Sequence, residues 1–429
     1  MSQTLYIRGG RIVDPAAGRD ERGDLFVRDG IIAEPPPSPP RGAKVVEAAG
    51  LVVVPGLIDL HVHLREPGGE DAETIETGSR AAARGGFTTI VAMPNTRPPL
   101  DAPERVAFVR DAAARSGRVT VIPSGCITRG REGRELADLA ALAQAGAGAF
   151  TDDGATVASD ELMERAMRAA AGLGIVVMDH AEDRDLERKG VMHEGEFSKH
   201  WKLKGIPSEA EARAVRRDLA LAAKAHGRLH IQHVSALESV LLIHDAQKRG
   251  LPVSGELTPH HLALTDGDVR PDNANFKMNP PLRSAADRKA LLAAVCDGTL
   301  EAFATDHAPH TASSKALGFV QAPPGIVGLE TAVGITYSEL VRKRLMDLPT
   351  WVRRWTCGPA RVLGLPEPSL RPGAPADVAI LDLESEWVVR PEAFLSKSRN
   401  TPFAGWKLVG RAAFTLRRGT VAWAEEGRT

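Results

Sequence analysis

Between Leu57 and Asp306 the chain repeats one pattern: a short apolar run, a longer amphipathic stretch, then another apolar run. Strands that alternate with helical stretches pack into a parallel sheet covered by helices. The candidate strands are 57–62 (LIDLHV), 87–92 (FTTIVA), 119–123 (VTVIP), 147–151 (AGAFT), 175–180 (IVVMDH), 229–234 (LHIQHV), 252–257 (PVSGEL) and 301–306 (EAFATD). Helical stretches such as SDELMERAMRAAAGLG and SALESVLLIHDAQKRG lie between them, with Ser159 and Ser235 expected as N-caps and Gly174 and Gly250 as stops. About eight such units are what a closed parallel (β/α)8 barrel of the TIM type requires. An open doubly wound sheet is the alternative, but it would carry a Gly-rich phosphate turn after its first strand, and none is present.

The two ends have a different texture. TLYIRGGRIVD, GDLFVRDGIIA and AKVVEAAGLVVV near the start, and ADVAILDLESEWVV and WKLVGRAAFTLRRGTVAWA near the end, read as short strands and turns, with PPPSPPRG as a surface loop. The expected organisation is a composite β-sandwich domain from residues 1–54 and 366–429 around a barrel of residues 55–365. A formal net charge of -1, with basic residues scattered, gives no reason to expect nucleic acid or an anionic membrane as partner. Cys126, Cys296 and Cys357 are odd in number and far apart, which excludes a disulfide framework and a cysteine zinc site. No signal-peptide pattern opens the chain, and no apolar stretch reaches the roughly 18 residues of a spanning helix. A soluble, cytoplasmic protein is expected.

The first barrel strand ends in His61-Val62-His63, followed by Arg65. Residues i and i+2 of a strand point to one side, so both imidazoles reach a common ligand, and Leu57 and Asp59 share that alternation. A pair of hydrogen-bonded core histidines is the plainer alternative, but the other strand ends argue for metal. His180, His233 and Asp306 close or nearly close three strands, and Asp152 and Asp153 follow a fourth. In a barrel such ends converge on one face. Nitrogen and oxygen ligands without thiolates suit zinc first, then cobalt or manganese. Two metals need a bridging anion. With no lysine between Lys44 and Lys189 to be carboxylated, Asp152 or Asp153 must bridge, or one metal suffices. Asp306 can both ligate and act as general base toward a water whose pKa a metal lowers to about 7. Arg65 offers a planar fork to a carboxylate, and the amides of Asn95 and Asn279 match a ureide or cyclic imide. His310 lies four residues past Asp306. His193, His200, His226, His230, His244, His260 and His261 read as structural or surface residues.

Together, DLHVHLREPG, MPNT, AFTDDG, DHAED, QHVSA, KMNPPLR, ATDHAPH, PGIVGLET and SKSRNTPFAGWKLVG resemble the bacterial class I dihydroorotases of the amidohydrolase superfamily, over almost the whole chain. The resemblance implies an amidohydrolase-type (β/α)8 barrel with a small β domain from both ends, and zinc-dependent interconversion of L-dihydroorotate and N-carbamoyl-L-aspartate in pyrimidine synthesis. It implies His61, His63, Asp153, His180, His233 and Asp306 as ligands of two zinc ions bridged by Asp153, with Asp306 also the general acid/base. Arg65, Asn95 and His310 would hold the substrate carboxylate, Asn279 the ring amide, and residues between His310 and Gly325 a mobile loop. A homo-oligomer, a dimer, and association with aspartate transcarbamoylase are further expectations. Pro324 stands where the family often has Phe, and the stretch HEGEFSKHWKLKGIP looks particular to this chain. Hydantoinases and allantoinases, which use a carboxylated lysine, and a non-catalytic scaffold lacking ligands are the rival readings.

Overall fold

The computed structural model describes residues 4–427. Eight parallel strands form the barrel wall: β1 Leu57–Val62, β2 Phe87–Ala92, β3 Thr120–Gly125, β4 Ala149–Phe150, β5 Val176–Asp179, β6 Leu229–Ile231, β7 Val253–Leu257 and β8 Ala302–Phe303. They pair in sequence order, and the wall closes between β8 and β1 through a parallel bridge from Val62 to His307 and the bond from the His63 N–H to the His307 carbonyl.

Alternation decides which side of the wall each residue faces. Phe150, Val177 and Ile231 pack into the large cluster that includes helix residues such as Met163, Val215 and Ile243. Val91, Met93, Ala149, Val176, Met178, Ala302 and Ala304 form a smaller, separate cluster with Leu60. Steps of two along that inner face lead from Met178 to His180 and from Ala304 to Asp306, so the apolar filling of the barrel gives way to polar groups at one end.

Several strands are shorter than their apolar runs suggest. β6 ends at Ile231 and β8 at Phe303, because His233 (φ 32°) and Asp306 (φ 46°) have left the extended region. His180, His233 and Asp306 therefore stand just beyond strand ends. The helix Asp160–Leu173 has the expected Ser159 cap and left-handed Gly174 stop. The helix Leu237–Lys248 differs: its N-cap is Ala236, and Ser235 faces Glu211 and Arg283 instead. Neighbouring carboxylates replace the expected cap, Glu211 receiving the Ala236 N–H and Asp287 the Leu237 N–H. At its other end Arg249 is the cap, and left-handed Gly250 follows.

Both ends of the chain enter one eight-stranded sheet. Its path runs Thr420–Ala424, Lys407–Arg417, Val378–Val388, Val52–Pro55, Thr4–Asp14, Arg19–Arg28 and Ile31–Ala33, with Lys44–Glu47 also on Thr4–Asp14. Pairing is antiparallel except where Thr4–Asp14 meets Lys44–Glu47 and Val52–Pro55. Val54, Leu381 and Ala412 of this sheet share the barrel's main core cluster. Gly56 alone separates Val52–Pro55 from β1, and a Cβ there would stand 2.1 Å from the Thr88 hydroxyl. The sheet is thus tied to the barrel wall at the strand that carries His61. Among the described residues, no helix is long and apolar enough to cross a membrane.

Candidate metal centre

The strand-end residues converge. His61 Nε2 lies 3.2 Å from Asp153 Oδ1 and 3.5 Å from Asp306 Oδ1. His63 Nε2 lies 3.1 Å from Asp306 Oδ1 and 3.6 Å from Asp153 Oδ2. His233 Nε2 and His180 Nδ1 are each 3.8 Å from Asp153 Oδ1 and 2.8 Å from one another. Two triads, His61–Asp153–His233 and His61–His63–Asp306, each bring three ligand atoms within 4.8 Å of one another, and all five residues are buried. His180 stands beside the first triad.

The orientation of Asp153 follows from its turn. Asp152 points away: its carboxylate accepts the N–H groups of Ile127 and Thr128 and the Thr128 hydroxyl. Arg131 holds the carbonyls of both aspartates, and Thr151 Oγ1 accepts the Asp153 N–H. With Asp152 spent on backbone, Asp153 is left for the imidazoles. Burial alone would raise the Asp153 and Asp306 carboxyls, but His61 and its neighbours outweigh it and hold both below the ordinary carboxylate range.

Three of these histidines, His61, His63 and His180, have an acceptor on the ring nitrogen that faces away from the cage. Glu256 Oε1 is 2.9 Å from His61 Nδ1, Asn95 Oδ1 is 2.9 Å from His63 Nδ1, and Glu182 Oε2 is 3.5 Å from His180 Nε2. Such a partner fixes the tautomer and leaves the opposite nitrogen as a lone pair. His61 Nε2 is then an acceptor facing two carboxylates, and it is buried without a hydrogen-bond partner. Burial alone would lower the His61 imidazole, but Asp153 and Asp306 push it well above its ordinary range, so these atoms call for a positive charge, as a proton or a metal ion, and the residues present fit a metal.

Glu256 escapes the sequence analysis, although an acid inside the apolar run PVSGEL is a visible oddity. It is fully buried, accepts the His233 N–H and faces His230 Nε2 at 3.0 Å. Burial would raise its carboxyl, yet His230 and His61 bring it down to about 2. Asp59, on the His61 side of β1, receives the N–H and hydroxyl of Thr305 and the His61 N–H, bracing the seam where the barrel closes. Burial lifts it to about 7.

The expected substrate residues ring this cage. A cleft of about 300 Å³ is lined by Arg65, Asn95, Arg97, Pro309, His310 and Ser314, among others. Arg65 (φ 60°) is anchored through Nε to the Pro309 carbonyl, with Nη2 3.5 Å from His310 Nε2. Burial lowers its guanidinium to about 10, so it stays charged at neutral pH. Asn95 gives one Nδ2 hydrogen to Asp153 Oδ2 at 3.2 Å. Asn279 is 3.2 Å from Glu182 Oε2, and its own Oδ1 is buried without a partner. His261 holds the adjacent Pro280 carbonyl at 3.0 Å.

The segment 311–325 packs over the cleft. Lys315 Nζ donates to the carbonyls of Pro323 and Gly325, each at 3.0 Å, and Lys277 Nζ to those of Val320 and Ala322, each at 2.8 Å. His310 Nε2 donates to the Pro324 carbonyl at 2.8 Å. Leu317 and Val320 remain 58% exposed, whereas Phe319 is buried with Met278 and Ile326, so one apolar anchor and the lysine-to-carbonyl contacts hold the loop. Of the extra histidines, His193 is buried 3.4 Å from Arg283 Nη1, and His200 meets Trp201 edge-on.

A family model described as "Dihydro-orotase-like" matches residues 50–239. A curated relative named dihydroorotase, from Anaeromyxobacter dehalogenans, is 49% identical over 430 residues, covering 99% of each chain. Another of that name, from Bacillus caldolyticus, is 50% identical over 384 residues, covering 90% of each chain. Among solved structures, L-hydantoinase (dihydropyrimidinase) from Arthrobacter aurescens superposes with a TM-score of 0.88 at 27% identity, over 100% of this chain and 97% of that one.

Proposed function

This chain belongs to the dihydroorotase family, and on that footing we propose that it interconverts L-dihydroorotate and N-carbamoyl-L-aspartate by opening and closing the ring amide. It is a cyclic-amide hydrolase. The observation that carries the reading is near-half identity to a relative named dihydroorotase across 99% of both chains. The hydantoinase likeness adds the shared fold. The absence of any lysine from 45 to 188 leaves that route to a carbamate bridge closed.

We assign two zinc ions to His61, His63, Asp153, His180, His233 and Asp306. Asp153 Oδ1 faces His61, His180 and His233 while Oδ2 faces His63, which supports a bridging role. A bound divalent ion supplies Lewis acidity, making water more acidic and polarising the ring carbonyl. The side chains do the rest. Asp306, kept ionised by the imidazoles, accepts the water proton and delivers it to the departing ring nitrogen. Arg65 pairs with the substrate carboxylate, and Asn95 adds its second Nδ2 hydrogen. His310 joins them by exchanging the Pro324 carbonyl for a carboxylate oxygen, which couples substrate binding to the 311–325 loop. Asn279 meets the ring amide.

The deciding experiment offers one zinc-supplemented preparation four rings: dihydroorotate, dihydrouracil, hydantoin and allantoin, with metal measured on the same sample. Turnover of dihydroorotate alone is expected. Turnover of the uncharged rings would remove the carboxylate clamp from Arg65, and silence on all four with metal present would overturn the reading. Dimerisation and association with aspartate transcarbamoylase are proposals that gel filtration of the chain alone and of the pair would test.

A further inference from the structure

We propose that Glu182 is a positioning residue: it fixes which way the Asn279 amide faces, so that the Asn279 carbonyl oxygen reads a ring N–H of the substrate. The inference rests on the dihydroorotase reading and assigns a task to a residue outside the expected ligand and substrate sets.

An asparagine amide can flip, and its two ends are nearly the same size but opposite in hydrogen bonding. Here one end is settled by charge. Asn279 Nδ2 is 3.2 Å from Glu182 Oε2, so the donor end faces a carboxylate. The flipped amide would set its oxygen against the carboxylate, a repulsion that outweighs the contact it would gain with the His180 N–H, 3.3 Å from the same Nδ2. The same Oε2 lies 3.5 Å from His180 Nε2, which an N–H there also satisfies. Asn279 Oδ1 is consequently left buried with no donor. A buried acceptor without a partner is costly, and a ring amide N–H is the donor it lacks. His261, through the Pro280 carbonyl, holds the backbone beside it. The site thereby selects a ring that donates at this position and disfavours one methylated on that nitrogen.

Glutamine at 182 breaks the arrangement with little change of shape. Its neutral amide can turn either end toward Asn279: the carbonyl oxygen keeps the two contacts that fall on Oε2, whereas the NH2 favours the flipped Asn279, so the orientation is no longer fixed. The test is a double-mutant cycle of Glu182→Gln and Asn279→Ala, with kcat and KM measured on dihydroorotate and on its ring-N-methylated analogues. Zinc content and thermal unfolding are recorded for every variant. The expected result is a KM raised about tenfold in Glu182→Gln, with kcat within about threefold and metal content unchanged. In the Asn279→Ala background the same change should move KM by less than about twofold, and Glu182→Asp should recover part of the loss. Discrimination against one N-methyl analogue should shrink in Glu182→Gln. An equal KM effect with and without Asn279 would overturn the proposal, as would loss of metal in Glu182→Gln, which places its action on His180. If Asn279→Ala leaves KM unchanged, the contact itself is wrong. If the unmodified protein does not open dihydroorotate, the functional reading fails and takes this inference with it.

Discussion

The metal cage and the loop above it are built by opposite means. In the cage, ionisable side chains hold one another: three imidazoles lean on Glu256, Asn95 and Glu182, and two aspartates sit among them. At the loop, Lys315 and, from outside it, Lys277 grip backbone carbonyls, and the side chains at 317 and 320 face solvent while Phe319 alone is a large apolar anchor among the described residues of 311–325. The cage depends on the identity of each residue, because only particular donor atoms bind a cation. Phe319 aside, the loop depends on chain path, because any residue presents a carbonyl. A single change should therefore be severe in the cage and mild in the loop.

Asp306→Ala gives the sharpest contrast. Turnover of dihydroorotate should fall by roughly 10²–10⁴-fold, the range for loss of a general base, with more if a ligand is lost too; steady-state assays beside metal analysis separate the two. Arg65→Met should keep its metals and weaken substrate binding by about 1.5–3 kcal/mol, the value of a charged hydrogen bond. An Arg65→Met enzyme with unchanged KM would take that residue out of the clamp. Glu256→Gln touches no substrate, yet removes the charge behind His61, and zinc affinity should drop by about 10–100-fold in a competitive chelator titration. Unchanged affinity would mean that the inner ligands alone set it.

The smallest effect belongs to the loop. Burial, helped by the charge of Lys277, lowers the Lys315 ammonium to about 7, against an ordinary 10.5. Between those values the open, solvated side chain binds more protons than the packed one, so packing of the loop gains stability as pH rises from about 7 to 10.5 and loses it as pH falls. Hydrogen exchange over 311–325, corrected for intrinsic rates, should show more frequent opening at pH 6.5 than at pH 9. Lys315→Met should flatten that difference, and a pH response that survives the substitution would assign it elsewhere.

The same division explains what could be read from the chain before its structure. The βα alternation was legible because burial on both faces of a parallel strand leaves an apolar run whatever the neighbours are. His61 and His63 were legible because two imidazoles at the end of such a run have few other uses. Glu256 and Glu182 were not, since each acts on a residue far along the chain: His61, 195 residues from Glu256, and Asn279, 97 residues from Glu182. Ser235 misled for a related reason: its spacing suits a helix cap, but Glu211 arrives from another helix and takes the hydroxyl. Strand ends were overrun at β6 and β8 because composition does not report the sign of φ.

That sign has a consequence for any attempt to evolve or stabilise this protein. Arg65, His233 and Asp306 all occupy left-handed backbone, which costs a non-glycine residue roughly 1–2 kcal/mol each. Selection for thermal tolerance alone would find glycine or asparagine attractive at these three positions, and would discard the guanidinium, the imidazole and the carboxylate as it climbed. A library screened only for survival on heating is thus expected to drift toward well-folded, inert barrels, unless turnover is selected in the same round.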